Sequence, residues 1–237
     1  MSIVWHDLEC GGYGADLPLW RRLAAASAGP ILDIGAGTGR VTLALARDGH
    51  RVTALDTDAE LLAELARRAA GLPVSTVCAD ARTFALDRRF TLVMVPMQTV
   101  QLLGGAAGRT AFLARARAHL SPGGSVAIAI AEELEPFEVS AGAIGPLPDV
   151  CERDGIVYSS LPTAVRADGD GFWLERERET VTVTGEHHQH SDRIRLDAVS
   201  AASLEHEALA AGLRAGPREE IAPTDDHVGS RVVILGG

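Results

Sequence analysis

Three aspartates and a run of glycines carry the chemistry that this chain can be read for. In Ile31-Leu32-Asp33-Ile34-Gly35-Ala36-Gly37-Thr38-Gly39, glycines at 35 and 37 let the backbone turn sharply and approach a ligand closely, because no Cβ intrudes. A dinucleotide fingerprint needs its third glycine at position 40, which is Arg40. An acid two residues before the first glycine suits a cationic ligand beside the turn better than a pyrophosphate. Asp56 stands 23 positions after Asp33, where a carboxylate can accept both hydroxyls of a ribose. Asp80 follows, placed to accept from an adenine amino group, with the amides of Ala81 and Arg82 beside it. A βα turn, a helix cap shared by Asp56 and Thr57, and a plain loop acid would each explain one of these features alone. Together they describe a site for a cationic nucleoside at the carboxyl edge of a sheet.

The elements that would position these residues follow from punctuation and period. Asp16 to Ala28 reads as a helix with Asp16 as N-cap and Pro18 in its first turn. Residues 30–34, 51–55, 74–78, 90–95 and 125–131 read as buried strands, each of the first four ending just before a residue singled out here. Helices are expected over 59–70, with Thr57 and Glu60 at capping-box spacing, and over 109–120, ended by Ser121-Pro122-Gly123-Gly124. Another lies between the glycine turn and Gly49. Strands alternating with helices imply right-handed crossovers and a mostly parallel α/β sheet covered on both faces.

After Glu132 the pattern is broken by Pro136, Gly142, Gly145, Pro146 and Pro148. Residues 172–184 and 188–196 then alternate as a β-hairpin, for which a Gly185-Glu186-His187 loop would set Glu179 opposite Arg193 and Glu177 opposite Arg195. A helix over 201–211 and a closing strand over 231–235 complete the reading. The chain is thus expected to be one domain over 1–237, with an N-terminal lid and helix over 1–28, a ligand-binding core over 29–131 and an inserted region over 133–196.

The segments ILDIGAGTGR, VTALDTD, CADARTF, FTLVMVPMQTV and HLSPGGSVAIAI, in that order, resemble the class I S-adenosylmethionine-dependent methyltransferase family, in its small-molecule branch. The resemblance covers about Gly29 to Ala131. It implies a Rossmann-like, seven-stranded sheet whose last strand, at Ser230 to Leu235, is antiparallel. By position it implies S-adenosyl-L-methionine as cofactor and S-adenosyl-L-homocysteine as product. Gly35, Ala36 and Gly37 would line the methionine part, with Asp33 near its amino group. Asp56, with Thr57 beside it, would hold the ribose, and Asp80, Ala81 and Arg82 the adenine. Pro96 and Met97 would lie near the sulfonium, and Tyr13 is a candidate for the cofactor carboxylate.

Missing residues narrow the chemistry. The 22 basic residues are all Arg, and Lys and Asn are absent, as a GC-rich, bacterial type of codon usage would produce. Relatives that need a catalytic Lys, an Asn on magnesium or an Asn/Asp-Pro-Pro-aromatic motif are closed off; the stretch here is Val95-Pro96-Met97-Gln98. Cys10, Cys78 and Cys151 follow no proline and make neither a zinc spacing nor a disulfide framework. A metal-free enzyme acting on N or O of a small molecule remains, with no catalytic residue assigned; His6, His187, His188 and His190 are candidate bases. A cofactor-binding protein of the same fold without methyl transfer is the alternative, and an NAD-dependent oxidoreductase is disfavoured by Arg40. Net charge of −10 without a basic cluster argues against nucleic acid. No apolar run reaches a membrane span, and the N-terminus lacks the pattern of a signal peptide, so a cytoplasmic location is expected. The polar hairpin suits either a roof over the site or a homodimer contact.

Overall fold

The computed structural model describes residues 3–139, 146–224 and 227–237; Gly142 and Gly145 lie outside them. The chain opens with helices α1 (Ile3–Cys10) and α2 (Leu17–Ala26). Strand β1 (Ile31–Ile34), α3 (Arg40–Arg47), β2 (Val52–Asp56), α4 (Ala59–Arg68), β3 (Val74–Cys78) and β4 (Phe90–Val95) follow. A 3₁₀ turn (Thr99–Leu102), α5 (Gly105–Ala118) and β5 (Leu120–Ile130) come next. Five further strands are β6 (Phe137–Glu138), β7 (Asp149–Arg153), β8 (Ile156–Asp168), β9 (Gly171–Val181) and β10 (His187–Asp197). Helix α6 (Ala201–Ala210), β11 (Arg214–Ile221) and β12 (Ser230–Gly236) end the chain.

These elements form two compact units. The first, Tyr13–Glu132 with Val199–Gly237, holds a seven-stranded sheet in the order β11-β12-β5-β4-β1-β2-β3. Strands β1 to β5 pair in parallel, and β12 runs antiparallel to both β5 and β11. This is the seven-stranded arrangement with an antiparallel last strand that the sequence implies. β1 is buried along its whole length, as a strand covered on both faces must be. Leu32 and Ile34 meet Phe112 and Leu113 of α5 and Leu204 of α6 on one side. On the other side Ile31 packs with Trp20 of α2 and with Val41 and Leu45 of α3.

Several local expectations are corrected by specific contacts. Asp16 flanks α2, but its carboxylate does not cap the helix; it accepts from Trp20 Nε1 at 2.8 Å and from Arg40 at 2.5 and 2.7 Å. The cap of α4 is Asp58, not Thr57, and accepts from the amides of Glu60 and Leu61. The chain is drawn one residue further because Asp56 Oδ1 takes the Asp58 amide at 3.0 Å. Helix α5 begins at Gly105, ahead of the expected Arg109, and Arg109 instead bonds Glu207 of α6. The Ser121–Gly124 turn is an irregularity inside β5, where the register slips between Phe90↔Leu120 and Leu92↔Ser125. His119, at the end of α5, uses both ring nitrogens: Nδ1 bonds Arg115 O at 2.7 Å and Nε2 accepts from the Leu86 amide at 2.9 Å.

The second unit joins the described residues of Ser2–Gly12 to Glu133–Ala198. It contains more than a hairpin: β10-β9-β8-β6 form an antiparallel sheet and β7 pairs with β8. The β9–β10 loop has three residues, Val183-Thr184-Gly185, because Gly185 takes the left-handed φ of 81° that closes such a loop and donates its amide to Thr182 O. Glu175 therefore faces Arg193 and Arg176 faces Asp192, with Glu177 and Glu179 opposite Ser191 and Gln189. The expected principle of opposite charges across the ladder holds with different partners. Helix α1 is tied to this sheet by Glu9, which accepts from Ser160 and pairs with Arg178 at 2.7 Å and Arg176 at 2.9 Å. Burial alone would push the Glu9 carboxyl up, yet the Arg178 bond and the two guanidinium charges hold it below its ordinary range. Glu9→Ala leaves the buried Arg178 with Asp192 as its remaining acidic partner, so urea unfolding followed by tryptophan fluorescence is expected to show a loss of about 1–3 kcal/mol.

Candidate active site

The site is built around the turn from β1 into α3. Gly35, Gly37 and Gly39 have φ of 72°, 53° and 94°, a region that favours glycine. Crowding reinforces this at two of them: an added Cβ would lie 2.4 Å from Thr99 Cγ2 at Gly35 and 2.2 Å from Leu65 Cδ1 at Gly39. The amides of Gly35 and Ala36 donate to Leu55 O of β2. The amide of Gly37 donates to Asp56 Oδ2 at 2.8 Å, so the glycine turn and the expected ribose carboxylate are physically joined. Asp56 is partly exposed at the strand end, and each of its oxygens keeps a second lone pair for a hydroxyl. Thr57 beside it is exposed.

Asp33 lies at the heart of the turn, 1% exposed. Its Oδ2 accepts from Thr42 Oγ1 at 2.6 Å, while Oδ1 has no partner. The other partnerless atom of this kind is the Tyr13 hydroxyl; these are the two buried side-chain polar atoms without a hydrogen bond among the described residues. Buried polar groups are normally satisfied, so two orphans at residues singled out from the sequence fit a ligand carrying an ammonium and a carboxylate. Burial pushes the Asp33 carboxyl up to about 7; Thr42 and the Arg40 charge counter this, and Asp56 and Asp16 add to it. Arg40 is the residue whose role the sequence did not disclose. It pairs with the buried Asp16, donates to Tyr13 O at 2.8 Å and stands over the Tyr13 ring at 5.1 Å.

Asp80 closes an Asx-type turn, accepting the Arg82 amide at 2.8 Å while the Arg82 guanidinium grips the same carboxylate at 2.6 to 3.0 Å. The Arg82 amide, expected to face an adenine ring, is thus committed to Asp80. Ala81 is buried in the core cluster behind it. Beyond β4, Pro96 is buried and Met97 adopts a φ of 55°, a strained value for a side chain of its size. The turn is held by Gln101, fully buried, whose amide bonds the backbone of Ala131 twice, at 3.1 and 2.8 Å. A lone Gln in an apolar stretch was the available signal for this clamp. His187 and His188 lie beside Glu179 and Glu186, and His190 stands edge-on to Trp5.

The raised Asp33 has a thermodynamic consequence. Its folded pKa of about 7 exceeds that of an unfolded aspartate, so between about pH 4 and pH 7 the folded state binds the extra proton. Stability from this group is therefore present at the acid end of that window and falls as pH rises through it. Comparing wild type with Asp33→Asn in denaturant titrations at pH 5 and pH 8 is expected to show the variant gaining on the wild type by a few kcal/mol at the higher pH.

Comparisons with known proteins agree with this geometry. Residues 31–124 match the methyltransferase domain family. The cypemycin N-terminal methyltransferase of a Streptomyces species is 31% identical over 137 residues, covering 58% of this chain and 55% of that protein. The dTDP-3-amino-3,6-dideoxy-alpha-D-glucopyranose N,N-dimethyltransferase of Streptomyces fradiae is 32% identical over 133 residues, covering 55% and 51%. The chain thus matches about half the length of these curated relatives. An amino pentose methyltransferase of Micromonospora echinaspora, solved with S-adenosylmethionine bound, shares the fold with a TM-score of 0.72 at 22% identity, covering 99% of this chain and 97% of that one. Residues 31–124 thus match a methyltransferase domain, and the sheet that carries them has the strand order of a fold shared with solved methyltransferases.

Proposed function

We propose that this chain is an enzyme that transfers a methyl group from S-adenosylmethionine to an amine nitrogen of a small molecule, leaving S-adenosylhomocysteine. The observation that carries this reading is the partnerless, buried Asp33 oxygen beside a glycine turn that is braced by Asp56. The relatives' names, an amino-sugar N,N-dimethyltransferase and a peptide N-terminal methyltransferase, support nitrogen as the acceptor atom. The Streptomyces source of both supports a bacterial origin.

When bound, the cofactor supplies a methyl carbon activated by a positive sulfonium, so the protein has mainly to align and desolvate the reactants. Asp33 holds the ammonium of the methionine tail, and the Tyr13 hydroxyl donates to its carboxylate. Burial raises the Tyr13 pKa, countered in part by Arg40, so the hydroxyl keeps its proton for that bond. Asp56 accepts from the ribose, with Thr57 at its edge. Asp80, stiffened by Arg82 and backed by Ala81, borders the adenine. Gly35, Ala36 and Gly37 let the tail lie against backbone, and Pro96 and Met97 flank the reacting carbon. A neutral amine brings its own lone pair and needs no base. Residues 29–131 act as the cofactor-binding core. Among the described residues no helix is long and apolar enough to cross a membrane.

Asp56→Ala is expected to weaken binding of S-adenosylhomocysteine in calorimetry by roughly 1–3 kcal/mol, since two hydroxyls lose a charged acceptor; unchanged affinity would place the ribose elsewhere. Affinity is also expected to rise with pH towards about 7, as Asp33 ionises, and to fall above about 8, as an α-amino group loses its proton. Asp33→Asn should abolish the rising limb. Mass spectrometry of amino sugars and small peptides after incubation with the cofactor tests transfer itself: a gain of one methylene is expected, and cofactor binding without it on any amine would reduce the protein to a binder.

A further inference from the structure

The loop between β11 and β12 brings one more side chain to the site. Strand β12 enters the sheet antiparallel to β5, with Arg231 opposite Ile130. Its start therefore lies at the edge where β1, β4 and β5 end, the edge that carries Asp33 and Met97. Within the loop, Thr224 N donates to His227 O at 2.9 Å and His227 N to Thr224 Oγ1 at 3.0 Å. Gly229 packs against the loop's root, where an added Cβ would meet Ile221 O at 2.8 Å. Thr224 and His227 are thus tied to each other, and Gly229 lies close against the end of β11. The imidazole of His227 is held against the ring of Tyr13, with centroids 4.7 Å apart and planes at 31°.

We propose that His227 is a positioning residue for Tyr13, restraining the phenol ring so that its buried hydroxyl is presented to the carboxylate of the cofactor. Two neighbours restrain this ring: the His227 imidazole and the Arg40 guanidinium, itself anchored on the buried Asp16. Arg40 also holds the backbone of Tyr13 through its carbonyl. That bond fixes where the residue starts, the apolar cluster with Leu19, Trp20 and Met97 encloses the ring, and the tilted imidazole limits the turning about χ1 and χ2 that remains. Restraint of this kind matters for a hydroxyl without a protein partner, because the ordering cost is otherwise met at the moment of binding. His227 touches neither reactant in this scheme and acts through Tyr13. Among the other histidines, His119 has both nitrogens committed, and His187 and His188 stand on the exposed end of β10. The inference rests on the reading of Tyr13 given under the proposed function.

The test is calorimetric binding of S-adenosylhomocysteine to the full chain and its variants, with thermal unfolding of each recorded without ligand. His227→Ala is expected to weaken binding about three- to tenfold, the range that a stacked aromatic pair contributes. His227→Phe, which keeps the stack and has no ring nitrogen, should restore affinity to within about twofold. In a Tyr13→Phe background, where the hydroxyl is gone, His227→Ala should change affinity by less than about twofold. In turnover the alanine variant should show a higher KM for the cofactor at a nearly unchanged kcat. Wild-type affinity in His227→Ala overturns the proposal, as does a loss that persists undiminished in the Tyr13→Phe background, or a phenylalanine variant as weak as alanine. A wild-type chain that ignores the thioether, or a Tyr13→Phe variant that binds as wild type, instead overturns the reading of the site beneath it.

Discussion

The glycine turn that leaves β1 is the constraint on which the rest of the molecule depends. Its left-handed residues are set by backbone sterics, and two of them are also closed to any side chain by Thr99 and Leu65. Those two contacts come from opposite flanks, one from the turn after β4 and one from α4. The turn is therefore where the central strand, the neighbouring strand ends and the first helices are brought into register. Its amides reach across to β2 through Leu55 O and the Asp56 carboxylate. The same geometry that shapes a floor for a ligand also fixes the separation of the elements around it, so folding and site assembly are one event here.

Charge is arranged around that floor in a graded way. Asp16 and Arg40 are buried together, and Trp20 and the Tyr13 carbonyl supply further hydrogen bonds, which is the condition under which a buried ion pair is tolerable. Asp33, one layer away, has Thr42 for one oxygen and nothing for the other. A carboxyl held in that state is expensive in isolation and becomes favourable once a cation arrives, so the free protein carries an electrostatic deficit shaped like its ligand. Asp80 differs again: exposed enough to be solvated, it is gripped by its own neighbour Arg82, which holds it well below its ordinary range and pins the loop. Asp33 and Asp80, on one sheet edge, are thus shifted in opposite directions by their surroundings.

Legibility in the sequence followed the range of the interaction. The strands 74–78 and 90–95 were read to the residue: Phe90–Val95 is an apolar run buried between layers, and Val74–Cys78, a partly exposed edge strand, is delimited by Pro73 before it and Asp80 after it. The mostly parallel, seven-stranded sheet with an antiparallel last strand followed from the alternation of strand and helix together with the family resemblance. Strands β7, β8 and β11 were missed: Ile156–Asp168 mixes Pro, Ser and charge, and Arg214–Ile221 reads as a polar loop until an antiparallel neighbour is supplied. The hairpin register was misplaced by four positions because charge pairing admits several alignments, whereas the left-handed glycine admits one. In the site, the acids and glycines were legible since their types and spacing carry the chemistry. Arg40, Gln101 and His227 were not, because each acts on a residue or backbone group far along the chain, and nothing local marks the partner.

Helix α1 has a further consequence through the company it keeps. Its Glu9 is satisfied by Arg178, 169 positions downstream, and by Ser160, 151 positions downstream. During synthesis the opening segment must therefore wait, uncompensated, while the whole parallel core emerges and closes behind it, about 10 to 30 seconds at ordinary elongation rates. Only when β8 and β9 have left the ribosome can the two distant pieces dock. Contacts of such separation are the kind that close slowly, and Ile3–Cys10 is the clasp that completes this antiparallel unit.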